Sequence, residues 1–165
     1  AQVVLASIFC LYGEKGAASI VANAVRPDKG WDEGWHYTGM GQFGMCMSRL
    51  DALVMALGNA KDPASLAVIL EKARLLCPED YFSHYRAISE AAEAIGSKEA
   101  VPTLAMLLTA PGVRCHSLKD YVEARREAVP DMNDTSTRNM ALKELHLARA
   151  LYLCGDKEGI GKAVL

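Results

Sequence analysis

Four times along this chain an apolar, helix-like run ends in glycine, a short charged turn follows, and a second apolar run begins. The turns read Gly13-Glu14-Lys15, Gly58-Asn59-Ala60-Lys61-Asp62-Pro63, Gly96-Ser97-Lys98-Glu99 and Gly155-Asp156-Lys157-Glu158. A pair of helices joined in this way cannot bury its apolar face alone, so repeated pairs predict a stack of antiparallel hairpins. The expected fold is all-α, an α-solenoid of three to four hairpins forming one domain over residues 1–165. No alternating apolar and polar run of strand length competes with that reading.

The first hairpin is expected to pair residues 3–12 with 17–25, across a turn that lacks a Ser, Thr, Asp or Asn cap. The second pairs 45–57 with 63–76. Its Leu50, Leu53, Val54 and Leu57 recur at helical steps and share one face. Asp62 is placed to cap the following helix, and Pro63 occupies the first turn, where a missing N–H costs nothing. The third spans 78–108 with the regular stripe Tyr81, Tyr85, Ile88, Ala92 and Ile95. Gly96 can supply the left-handed residue that ends that stripe, and Ser97 can cap the helix over 98–108. The fourth starts near Thr135 and carries Leu142, Leu145, Ala148 and Leu151 at helical spacing. Between the hairpins lie two insertions, 26–44 and 109–134, the second with a short helix expected over 118–128.

Composition excludes several classes. Apolar residues make up 51% and charged residues 23%, enough for a substantial core and too apolar for disorder. A net charge of -2 supplies no field for nucleic acid or an anionic membrane. The longest apolar stretch, residues 3–12, is about half of a bilayer span and has no basic region before it. Five cysteines without a Cys-x-x-Cys pair suggest no disulfide framework, and Cys10, Cys46 and Cys154 lie in apolar helical runs. That pattern leans toward a reducing, cytoplasmic compartment. The chain opens without Met inside one helical run and stops inside another, without a polar capping repeat. It is expected to be a piece of a longer protein.

The segment most unlike its surroundings is 26–44. It holds Trp31, Trp35, His36, Tyr37 and Phe43, with Gln42, among five glycines. Rings on a glycine-rich loop suit a contact surface, because they offer large area for little lost rotamer freedom. They equally suit a plug that folds back between the first two hairpins. Gly39-Met40-Gly41-Gln42-Phe43-Gly44 matches a dinucleotide-binding pattern by letter, but no buried strand precedes it. Its glycines can still leave helix N–H groups free for an anion or a carboxylate. His36, His84, His116 and His146 form no pair with metal-ligand spacing, and Cys115-His116 are adjacent and diverge. Residues 114–138 carry five basic and five acidic side chains, a balanced solvated face. No catalytic, cofactor or metal residue is therefore assigned.

The turns, with Gly96-Ser97-Lys98-Glu99-Ala100-Val101-Pro102-Thr103-Leu104 as the best example, resemble HEAT-like repeats. The turn glycines stand 45, 38 and 59 residues apart, against a HEAT-type period of about 40–47 once the second insertion is set aside. The stretch from Trp31 to Leu57, with Gly34-Trp35-His36-Tyr37-Thr38-Gly39 and then Arg49-Leu50-Asp51-Ala52-Leu53, looks like the C-terminal HEAT-like region of bacterial FAD-dependent oxidoreductases. That resemblance implies a non-catalytic module packed on a flavin-binding domain of the same polypeptide, with loop 31–43 as the contact. FAD would then belong to the parent protein and to no residue of this chain. A free-standing protein-binding scaffold is the alternative expectation, and a small repeat-type lyase a third.

Overall fold

Glycine, capping and 3-10 turns set the helix boundaries. The computed structural model describes residues 1–32, 48–117, 120–126 and 135–165. In order, the helices are α1 (Gln2–Leu11), α2 (Ala18–Val25), α3 (Arg49–Asn59), α4 (Leu66–Ala73), α5 (Phe82–Ile95), α6 (Val101–Thr109), α7 (Tyr121–Arg126), α8 (Ser136–Cys154) and α9 (Ile160–Val164). Among the described residues there is no strand.

Three of the second helices begin the same way. A single 3-10 turn, Lys15–Ala17, Pro63–Ser65 or Lys98–Ala100, leads into α2, α4 and α6. Asp62 accepts the Ala64 N–H at 3.1 Å and Ser97 accepts the Glu99 N–H at 3.3 Å, which satisfies donors the helix start leaves orphaned. Gly96 is left-handed at φ +67°, as its position at the end of α5 requires. The second turn departs from the expectation. Gly58 does not end its helix; α3 runs through Gly58 and Asn59, and the left-handed residue is Lys61 at φ +51°.

Helices α1, α3, α5 and α8 form one row in which each packs on the next, while α4 meets α6 and α2 meets the 3-10 turn before α4. The core lies between these rows. Leu50, Leu53, Val54 and Leu57 of α3 are all buried, as are Tyr85, Ile88 and Ala92 of α5. Tyr81 lies outside α5 as its N-terminal flank and is partly exposed. On α8 the buried face is rotated from the expected one. Leu147, Ala148 and Leu151 are buried, Leu142 and Leu145 only half so, and Lys143 and Glu144 are buried with them. Cys10 and Cys154 are buried as small apolar side chains, whereas Cys46 lies outside the described residues. No helix among the described residues is long and apolar enough to cross a membrane.

Candidate functional site

Ser48 and Asp51 build the start of α3. Ser48 is extended, its Oγ accepts the Asp51 N–H at 3.1 Å, and Asp51 Oδ2 accepts the Ser48 N–H at 3.1 Å. This reciprocal capping box satisfies two donors and sets a carboxylate against the positive end of the helix. Asp32 adds a third acceptor, its Oδ2 taking the Leu50 N–H at 3.0 Å. Its Oδ1 is buried with no hydrogen-bond partner among the described residues.

The second oxygen of Asp51 faces His84 of α5, with Oδ1 and Nδ1 2.7 Å apart. Burial alone would push the Asp51 pKa up. The hydrogen bond from His84 and the Ser48 amide outweigh burial and hold it below its ordinary 3.8. An ionised Asp51 can only accept, so Nδ1 of His84 carries the proton and donates. Trp31 stacks on the imidazole, with ring centroids 4.5 Å apart and planes at 25°. Tyr81 covers its edge at 5.8 Å and 85°. His84 and Asp51 are 1% and 0% exposed, so this pair presents no base to a substrate.

Around the pair, three helices grip the chain leaving α2. Trp31 Nε1 donates to the Lys72 carbonyl of α4 at 3.1 Å, and the buried Lys72 ammonium donates to the Asp28 carbonyl. Burial pulls the Lys72 pKa below its ordinary value, against the opposing pull of Asp28, Glu71 and Asp32. Arg49 of α3 reaches Asp28 Oδ2 at 3.2 Å, an exposed pair that contributes little by itself. Residues 28–32 are thus the fixed root of the first insertion.

Of the six residues singled out in the sequence, Trp31 is partly buried against α4 and α5, so it plugs between the second and third hairpins and not, as expected, between the first two. Trp35, His36, Tyr37, Gln42 and Phe43, together with the Gly39–Gly44 pattern, lie outside the described residues. Truncating Trp31 to alanine is expected to lower stability by about 3 kcal/mol, since it removes a packed ring and a hydrogen bond. Trp31→Phe, which keeps the stack and loses only the N–H, should cost about 1 kcal/mol. Urea unfolding measures both, and an alanine variant within about 0.5 kcal/mol of the parent would refute the plug.

A second buried polar group anchors the other insertion. Glu144 accepts the N–H groups of Cys115, His116 and Ser117 at 2.9, 2.7 and 2.6 Å. Burial opposes its ionisation, but these three amides prevail and hold its pKa below the ordinary 4.5. Beside it, Lys143 donates to the Pro78 carbonyl at 2.8 Å and lies 5.0 Å from the Tyr85 ring centroid. His116 turns back to the Gly112 carbonyl at 3.1 Å, and His146 packs on Phe82. Among the described residues no group of three His, Cys, Asp or Glu side chains could hold a metal ion.

In the sequence, Asp51 stood out only within the Arg49–Leu53 resemblance, His84 only as one of four unpaired histidines, and Lys72 not at all. Only Ser48-x-x-Asp51 carried a local signal, the spacing of a capping box. Compared with models of known protein families, with curated proteins and with solved structures, the chain matches none.

Proposed function

We propose that the chain is a HEAT-like α-solenoid that serves as a non-catalytic packing module on the flavin-binding domain of a bacterial oxidoreductase. The observation that carries this reading is the rooted insertion. Residues 28–32 are held by α3, α4 and α5 at once, so the segment that follows leaves from a fixed point. A fixed departure point lowers the ordering cost of a loop that meets a partner. Trp31 then belongs to the root, and Trp35, His36, Tyr37, Gln42 and Phe43 form the contact. The row α1, α3, α5, α8 in chain order, with 3-10 turns opening α2, α4 and α6, supports a repeating hairpin unit. The closed Asp51–His84 pair supports a structural rather than catalytic use. FAD is bound by the partner domain.

The reading frame that encodes the chain supplies the partner for a test. It is expected to contain a strand–Gly-x-Gly-x-x-Gly–helix unit, and calorimetry should detect that domain binding to this one. Trp35→Ala with Phe43→Ala should weaken the association by about tenfold or more, as for a central aromatic anchor. A frame without such a unit, or a purified chain that itself retains bound flavin, would overturn the proposal.

A further inference from the structure

The connections that leave α2, α4 and α6 come together at one edge of the domain. Residues 28–32 meet the end of α4 and the start of α5 through Lys72 and His84. The Lys72 carbonyl that accepts Trp31 Nε1 also accepts the Leu75 N–H at 3.1 Å, and Tyr81 covers the imidazole on which Trp31 stacks. On the far side of the 74–81 turn, a Cβ built at Gly112 would stand 3.4 Å from Pro78 Cβ, and Lys143 reaches the Pro78 carbonyl. Glu144, the next residue, holds 115–117. The 74–81 turn is thus the floor between the roots of the two insertions. Between α2 and α8 the described residues expose large apolar side chains at four positions. Three belong to this edge, Leu75, Tyr81 and Val122 at 41%, 37% and 57% exposure, and the fourth, Met106, lies on α6. Val122 is five residues past Ser117, a reach of at most about 17 Å. The turns 60–65 and 96–100, on the opposite edge, expose none.

We propose that this edge extends the contact with the partner domain, so that the 74–81 turn and α7 meet that domain beside the loop that leaves Asp32. The extension rests on the reading of the chain as a module packed on a flavin-binding domain of the same polypeptide. A standard interface takes about 20–30 residues a side, and the loop at 31–43 supplies thirteen. The remaining surface has to come from what lies beside the root of that loop. Leu75 and Tyr81 are those neighbours, one through the shared Lys72 carbonyl and the other through the His84 ring. The exposed Arg74 and Glu79 border them in sequence, which gives an apolar patch the polar rim of an interface. Pro78 then joins the patch to the root of the second insertion, and α7 leaves from there.

Calorimetry with the domain encoded in the same reading frame tests the extension. Leu75→Glu with Val122→Glu is expected to weaken the association about tenfold or more, because each new charge is left unpaired in an apolar contact. Ala64→Glu, which adds the same charge on the opposite edge, should leave the affinity unchanged. Hydrogen exchange of the unsubstituted chain gives a reading that does not depend on a variant folding. On addition of the domain, amides of 74–81 and 121–126 should gain protection, and those of 60–65 and 96–100 should not. Trp35→Ala with Phe43→Ala separates the extension from the reading beneath it. If that pair weakens the association while the Leu75 and Val122 pair does not, or if the 74–81 amides gain no protection, the extension is overturned and the module reading stands. If neither pair alters the association, or the frame encodes no such domain, both are overturned.

Discussion

Replacing Gly58 with alanine is expected to destabilise the domain by about 3 kcal/mol, at the upper end of the range for overpacking a core. Gly58 lies within α3 where that helix crosses α5. A Cβ built there would stand 2.3 Å from Ala91 Cα, 2.7 Å from Ala91 Cβ and 3.0 Å from Ala91 O. Backbone atoms cannot rotate away as a flexible side chain can, so α3 and α5 must separate. Alanine gains about 1 kcal/mol over glycine in helix propensity, which offsets only part of that cost. For a domain of this size the net loss corresponds to a Tm lower by on the order of 10 °C. Gly16→Ala serves as the control, because a Cβ at Gly16 meets nothing within 4 Å. Ala91→Gly added to Gly58→Ala should rescue only partly, since the closest clash is with the Ala91 Cα. Thermal unfolding of the four proteins decides it. A Gly58→Ala variant as stable as the parent would show that the helices are not in close contact there.

Gly58 also marks where the sequence stops being a guide. A glycine after an apolar run reads as a helix end, and Gly13, Gly96 and Gly155 do take positive φ. Gly58 has the same local context but is retained for close approach to a helix more than thirty residues away. Apolar periodicity worked where burial is apolar: Leu50, Leu53, Val54 and Leu57 were legible at once. It failed on α8, because Lys143 and Glu144 are buried with partners in the 77–80 and 115–117 turns, and a count of apolar steps assigns them to solvent. The candidate site was the least legible part. Trp31 stood out by composition, yet its partners Lys72 and His84 lie on separate helices, and His84 pairs with Asp51 across 33 positions. Only the Ser48-x-x-Asp51 spacing lay within one turn of helix, and the expectation of a helix starting at residue 45, where the structure starts it at Arg49, concealed it.

The Glu144 clamp supports the second large effect. Glu144→Ala is expected to cost about 3 kcal/mol, because three charge-assisted hydrogen bonds are lost and their shared acceptor leaves a void. The three amides sit in a partly exposed turn where water can replace some of what is lost, so the cost stays well below three independent bonds. Glu144→Gln keeps the volume and one acceptor oxygen, and should cost about half as much. Cys115 gives the clamp a further task. At φ +73° it is a non-glycine residue in the left-handed region, a conformation that costs about 1 kcal/mol and that the clamp holds in place. Hydrogen exchange should accordingly show the amides of Cys115, His116 and Ser117 losing protection in both variants, while those of α5 keep theirs. Acid gives an independent check. The folded pKa of Glu144 lies below its unfolded value, so the carboxylate contributes stability above about pH 4.5 and loses it as pH falls through the folded pKa. Asp51 shifts in the same direction but is present in parent and variant alike, and cancels from their difference. The stability gap between the parent and Glu144→Gln should therefore be widest near neutrality and close on acidification. A gap that stays constant through that range, or turn amides that remain protected, would mean that the carboxylate does not hold the insertion to α8.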